Sequence, residues 1–306
     1  MPAGESLDAL FRTAVSALDA GDEAELARLL AAHPRLVSDR LDAAGAWLRE
    51  VVGDALDRFF SAPYLLWFLA EDPVRNPELP ENVAQLARTI IHAAKREGVA
   101  SLKEQLDYAL HLAVCSPIGR DSGRQLELID VLIDAGASME RRTRPAGSVA
   151  VQALICGNIG AAEHLIQRGA ILTLPAAVCL SRWEDVAYLA RTATARDKQV
   201  ALSLAALNGR ARALELLIGI GVDLNAYATG FYTHATPLHH AVCSGSLDAV
   251  QVLVEAGASL GTRDTAWDGT ALGWAEYYQG ENQGNAREAR YAEIAAYLRG
   301  KGAPSS

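Results

Sequence analysis

Two histidines and two carboxylates in the C-terminal third of the chain are the residues whose types could support chemistry. His234 and His240 come shortly before Asp264 and Glu276. A histidine with an ordinary pKa of about 6.5 can act as a base near neutral pH, and a carboxylate beside it can orient its ring. These four residues are the candidate catalytic set if the chain is an enzyme.

Aromatic side chains occupy the same part of the sequence. Tyrosine and tryptophan are common anchors of protein interfaces, and aromatic rings also line small-molecule pockets. The candidate binding residues are Tyr227, Tyr232, His234, His240, Trp267, Trp274 and Tyr277. Three interpretations stay open: the rings pack two loops together, they bind a protein partner, or they form a small-molecule or catalytic site.

Motifs for catalysis, cofactors and metals are absent from the sequence. It contains no G-x-G-x-x-G, P-loop, G-x-S-x-G or H-E-x-x-H pattern, so neither a cofactor nor an enzymatic activity is predicted. The four cysteines form no C-x-x-C pair that would indicate zinc. The adjacent His239 and His240 would point about 100° apart on a helix, which disfavours a metal site there.

Composition limits the classes of partner. The 306 residues are half hydrophobic, and 28 basic against 37 acidic side chains give a net charge of −9. This balance argues against binding to a nucleic-acid phosphate backbone. The N-terminus has no basic segment followed by an apolar core, and no uncharged apolar run is long enough to span a membrane. A protein that binds no membrane is therefore expected. The cysteine pattern fits a reduced cytoplasm, and the chain is expected to be a monomer.

Helices must position the candidate residues, because a helix-turn-helix pattern surrounds them. Residues 236–245 read T-P-L-H-H-A-V-C-S-G, in which Thr236 can cap a helix and Pro237 fits its first turn. Gly245 can end that helix in a left-handed conformation. Residues 246–258 then resume the helical apolar period and close on Gly-Ala.

This stretch resembles the ankyrin repeat, whose first helix carries a T-P-L-H-x-A signature. The resemblance implies an all-α solenoid of stacked helix-turn-helix units with short β-turn or hairpin fingers. It also implies a concave face made by fingers and first helices, which would bind a protein partner, with a small molecule as the alternative. On that face His240 is expected to point outward, whereas the signature residue His239 is expected to be structural.

Further units of this kind recur along the chain. Leu202, Leu238 and Leu272 open three first helices at spacings of 36 and 34 residues, close to the ankyrin period of about 33. The finger between residues 225 and 236 is about three residues longer than usual. The expected organisation is therefore divergent helical repeats over residues 1–103, ankyrin repeats over 104–303 with the last as a C-terminal cap, and a tail over 304–306.

The segment from Asp57 to Leu69 is the most aromatic in the chain. It contains Phe59, Phe60, Tyr64, Trp67 and Phe68. Two interpretations stay open, a buried junction between early helices or an aromatic ligand site. Residues 117–123, further along, are predicted to form a loop.

Overall fold

Helices and the turns that join them build the chain wherever the structure describes it. The computed structural model describes residues 6–70, 78–140 and 148–304. Its contacts divide the chain into two units, Met1–Glu140 and Arg141–Ser306. Each unit consists of short helices that pack against neighbours within that unit.

The first unit contains α-helices joined by turns and by two 3₁₀ segments, Gly53–Asp57 and Leu65–Leu69. Its α-helices are α1 (Leu7–Asp19), α2 (Glu23–Ala32), α3 (Arg35–Ser38), α4 (Ala46–Val52), α5 (Val83–Arg96), α6 (Leu102–Cys115), α7 (Pro117–Asp121) and α8 (Gln125–Ala135). Helix α2 packs on α1 and α5, and α8 packs on α5 and α6.

The second unit stacks helix pairs. Its α-helices are α9 (Val149–Ile155), α10 (Ile159–Gln167), α11 (Leu174–Cys179), α12 (Trp183–Thr192), α13 (Ala195–Leu207), α14 (Ala211–Gly219), α15 (Pro237–Ser244), α16 (Leu247–Glu255), α17 (Ala271–Glu281) and α18 (Ala286–Gly300). The first helices of the pairs, α9, α11, α13, α15 and α17, pack on one another in order. The second helices α14, α16 and α18 do the same, so the predicted all-α repeat stack is confirmed.

Local sequence explains the pair formed by α15 and α16. Proline in the first turn of α15 needs no hydrogen-bond partner for its nitrogen, and Gly245 ends the helix at a φ of 70°. Ser246 then starts α16, because its hydroxyl oxygen accepts a hydrogen bond from the Ala249 N–H at 3.2 Å. Leu238 and Leu253 are buried in this pair, as the repeat pattern requires.

The N-terminal aromatic segment is part of a buried core. Phe60, Tyr64, Trp67 and Phe68 are buried, and the Trp67 indole N–H donates to the Gln105 carbonyl at 3.1 Å. The buried-junction interpretation is therefore confirmed for these four rings, although the fifth aromatic side chain of the segment is exposed.

The loop predicted for residues 117–123 is wrong, because Pro117–Asp121 forms the short helix α7. Ser116 caps it through a hydrogen bond that its hydroxyl oxygen accepts from the Gly119 N–H at 3.1 Å. A serine followed by proline supplies both a cap and a first-turn residue, which is enough to start a helical turn.

Candidate functional site

Two neighbouring loops of the second unit bring the candidate residues together. We call residues 220–236, between α14 and α15, the first finger, and residues 256–270, between α16 and α17, the second finger. The Thr265 N–H donates to the His234 carbonyl at 2.9 Å, and the Tyr227 hydroxyl donates to the Arg263 carbonyl at 2.8 Å. These two hydrogen bonds join the fingers, so their aromatic side chains are held in a common arrangement.

Asp264 organises the second finger. Its Oδ1 accepts hydrogen bonds from the N–H groups of Ala266 at 2.9 Å and Trp267 at 2.7 Å. Its Oδ2 accepts from the Gly269 N–H and the Trp274 indole N–H, both at 2.9 Å. An aspartate that bonds backbone groups following it in the chain fixes a turn. Here the turn fixes the position of Trp267.

The same hydrogen bonds set the charge of Asp264. Burial raises the pKa of this carboxyl, but the hydrogen bonds from Trp267, Trp274, Ala266 and Gly269 outweigh burial and leave the pKa below its ordinary value. Asp264 is therefore ionised at neutral pH. Among the described residues its hydrogen-bond partners are these N–H groups and not a histidine, so Asp264 does not orient His234 or His240 as a catalytic helper.

Five of the predicted residues form one surface, which we call the aromatic patch: Tyr227, Tyr232, His234, Trp267 and Trp274. The His234 ring lies at its centre, with centroid distances of 4.8 Å to Trp267, 5.9 Å to Trp274 and 6.2 Å to Tyr232. The two indoles are 5.9 Å apart in an edge-to-face arrangement. Such packing restricts the rings, because each edge faces the π-electrons of its neighbour.

The outer part of the aromatic patch faces solvent. The Trp267 side chain is 71% exposed, and Tyr227 and Tyr232 are exposed to smaller extents. Tyr227 and Trp267 line an open depression of about 700 Å³ together with Arg263 and Asp268. A ligand can reach this depression without rearrangement of the fingers.

His239 is a structural residue, which confirms the prediction for the signature position. Its Nδ1 lies 2.8 Å from the Thr236 hydroxyl and accepts from the Thr236 N–H at 3.4 Å. Its Nε2 lies 3.1 Å from the Gly269 carbonyl, an acceptor, so Nε2 carries the proton. Burial lowers the pKa of His239, consistent with this neutral form. The residue links the start of α15 to the second finger.

The predicted outward orientation of His240 is wrong. Only 1% of this residue is exposed, and its ring lies 5.8 Å from Phe231 and 6.1 Å from Tyr232. Its Nε2 is buried without a hydrogen-bond partner among the described residues. Burial, together with the smaller effects of the nearby His239 and His234, lowers the pKa of His240 to about 3. His240 is therefore a neutral side chain behind the aromatic patch.

The burial of neutral His240 predicts that the second unit becomes less stable in acid. Folding depresses the pKa of His240, so the unfolded chain binds a proton at a higher pH than the folded chain does. The full stability of the fold is therefore present above the unfolded pKa of about 6.5, and stability is lost as the pH falls toward about 3. Lowering the pH from about 7.5 to about 5 should cost about 2 kcal/mol of unfolding free energy. Denaturant titrations at the two pH values measure this loss.

The His240→Asn variant is the control for the pH experiment. Asparagine does not titrate, so the variant should lose most of the pH dependence between these values, apart from the smaller contribution of His239, whose pKa shifts in the same direction. An equal pH dependence in the variant and the natural chain would show that another group causes it.

The remaining candidates lie apart from the aromatic patch. The Glu276 carboxylate accepts a hydrogen bond from Arg299 Nη2 at 2.7 Å, so it joins α17 to α18. Glu276 follows Trp274 by two residues on α17, so the two side chains point about 200° apart around the helix axis. Tyr277 is exposed and contacts Tyr278 at a centroid distance of 5.6 Å. Neither residue contacts His234 through any described hydrogen bond or ring contact.

Two further finger residues, which the predicted binding set leaves out, contribute to the site. Phe231 is buried against His240 and fills the inside of the first finger. Arg263 supplies the carbonyl that joins the fingers, and its guanidinium lies 3.3 Å from the Asp268 carboxylate. The signal for this arrangement was Asp264 followed by Asp268-Gly269, a pattern typical of a turn.

The described residues contain no cluster of three or more His, Cys, Asp or Glu side chains that could hold a metal ion. None of the helices within the described ranges has both the length and the apolar character needed to cross a membrane.

Comparison with known proteins gives a family match for part of the chain. No curated protein matches the chain. Among solved structures, the crystal structure of the human ASB11 ankyrin repeat domain matches with 19% sequence identity and a TM-score of 0.33, over 69% of this chain and 92% of that chain. The family model described as ankyrin repeats in three copies matches residues 174–264, which contain the helices from α11 to α16. This match falls on the stacked pairs that carry the first finger and Asp264, so residues 174–264 form ankyrin repeats.

Proposed function

We propose that this protein is a binding module that presents the aromatic patch to a protein partner. Ankyrin repeats generally mediate protein–protein interaction, and stacked repeats offer extended surfaces for it. The cytoplasmic location, the monomeric state and the division at residue 103 stay predictions.

The exposure of Trp267 on a pre-ordered finger is the observation that supports this proposal most. A tryptophan with 71% of its surface in water leaves a large apolar ring available for burial by a partner. Hydrogen bonds to Asp264 fix its backbone, and His234 and Trp274 contact its ring. A side chain held in this way loses little conformational entropy on binding, which favours affinity.

Replacement of Trp267 by alanine should weaken partner binding by more than about 1 kcal/mol, or at least about fivefold in Kd, because anchoring aromatic residues carry much of the energy of an interface. The same reasoning applies to Tyr232→Ala. Affinity capture with the natural chain identifies the partner, and titration of that partner against each variant measures the change.

Tyr188→Ala is a matched control, since Tyr188 lies on α12 of the same unit and is 68% exposed. It should bind the partner as the natural chain does. If Trp267→Ala binds equally well while Tyr188→Ala does not, the interface lies elsewhere. If no partner is captured and a metabolite instead raises the melting temperature, the small-molecule alternative replaces this proposal.

A further inference from the structure

We propose that the aromatic patch binds arginine or lysine side chains in a basic segment of the partner protein. This inference rests on the proposed function and specifies the chemistry of the partner. It is carried by the charge of the surrounding chain, by a buried carboxylate that pairs with no cation of the described residues, and by aromatic rings that no cation of the described residues covers.

The first observation is the charge around the patch. The two fingers that carry the patch, residues 220–236 and 256–270, contain three carboxylates, those of Asp223, Asp264 and Asp268, and a single guanidinium, that of Arg263. This guanidinium is already engaged, because its Nη1 donates to the Asp268 carbonyl and lies 3.3 Å from Asp268 Oδ2. The Asp268 side chain is nevertheless 83% exposed, so its carboxylate faces the solvent beside Trp267. The potential at this surface is therefore negative and attracts cations.

The second observation is the environment of Asp264. The residue is 2% exposed, and its described hydrogen-bond partners are uncharged amide and indole N–H groups. The described residues place no lysine, arginine or histidine in an ion pair with it. A buried charge that is not neutralised acts over a longer distance than an exposed one, because less water screens it. Asp264 itself lines the depression, together with Tyr227 and Trp267.

The third observation is the absence, among the described residues, of a cation over the rings of the patch. Elsewhere in the protein, cations cover aromatic faces: the Arg212 guanidinium lies 4.8 Å from the Trp183 ring, and that of Arg40 lies 5.2 Å from the Tyr64 ring. Within the described ranges, no lysine or arginine of the chain covers a ring of the aromatic patch. Tryptophan is the most favourable partner for a cation among the aromatic residues, and arginine is the cation that most often occupies such positions.

Together these observations favour a basic partner over the alternatives. An acidic segment would be repelled by Asp264 and Asp268. A neutral apolar side chain could pack on Trp267, but it would gain nothing from the surrounding carboxylates. A guanidinium or ammonium group gains from both the rings and the charges.

Titration of the full chain with a fluorescently labelled, end-blocked arginine hexamer tests the inference, with a glutamate hexamer as the comparison peptide. At low ionic strength the arginine hexamer should bind and the glutamate hexamer should not. Trp267→Ala should weaken arginine-hexamer binding at least about fivefold. Because this substitution leaves the net charge unchanged, the loss reports the ring and not general attraction to an acidic protein.

Two charge variants complete the experiment. Asp268→Asn should weaken binding of the arginine hexamer, whereas Glu184→Gln, which removes one exposed carboxylate on α12, should not. Tyr188→Ala should also bind normally. An unchanged unfolding midpoint shows that each variant keeps its fold.

The inference is overturned if the arginine hexamer does not bind, or if it binds Trp267→Ala as tightly as the natural chain. That result would leave the proposed function intact where a captured protein partner still depends on Trp267. The proposed function fails separately, when the captured partner binds Trp267→Ala and the natural chain with equal affinity.

Discussion

Truncation of Leu238 to alanine should lower the free energy of unfolding by about 2–5 kcal/mol, the range observed when a buried leucine leaves a cavity. Leu238 is buried in α15, which packs between α13 and α17. The cavity would therefore weaken contacts on both sides of this helix. Leu253→Ala on α16 should have an effect of the same size, because Leu253 is equally buried.

Leu216→Ala is the matched control, since Leu216 on α14 is 44% exposed and loses less buried area. Denaturant titration should place this variant within about 1 kcal/mol of the natural chain. Because repeats contact only their neighbours, proteolysis of Leu238→Ala should begin in the C-terminal pairs. Equal stability of the Leu238 and Leu216 variants would contradict the packing described for α15.

Replacement of Asp264 by alanine should cost about 3 kcal/mol, because the second finger loses charge-assisted hydrogen bonds from four N–H groups at once. The finger should also lose its order. Amide hydrogen exchange should become faster at Ala266, Trp267 and Gly269, while the amides of α13 keep their protection.

Asp268→Ala is the control for this prediction, because Asp268 is in the same finger but its side chain faces solvent. It should change stability by less than about 1 kcal/mol. If Asp264→Ala leaves exchange at the Trp267 amide unchanged, Asp264 does not organise the finger.

The fold could be predicted because its signals are local. Proline in a first turn, serine caps and glycine at a helix end each act within one turn of chain, so residues 236–258 were sufficient to place α15 and α16. The spacing of Leu202, Leu238 and Leu272 then predicted the neighbouring helix pairs.

The orientation of His240 could not be predicted in the same way, because it depends on a loop. His240 and Trp274 occupy corresponding positions of successive repeats, yet His240 is buried and Trp274 is only half-buried. The difference arises from the first finger, where Phe231 and Tyr232 pack over His240. How a loop of this length folds over a helix is not encoded in the helical period.

The role of Asp264 was misassigned for a related reason. Its position near two histidines in the sequence suggested a carboxylate that orients a ring, whereas the structure directs both oxygens to N–H groups of its own finger and of Trp274. Hydrogen bonds from an aspartate to nearby backbone groups compete with longer-range roles of its carboxylate.

Side-chain footprinting of the protein with its captured partner tests the central claim most directly. Trp267 and Tyr232 should react with the modifying reagent in the free protein, because both are exposed, and should be protected in the complex. Tyr188, which is also exposed but lies on α12, should react equally in both states. Protection of Tyr188 together with unchanged reactivity of Trp267 and Tyr232 would contradict a partner-binding role for the aromatic patch.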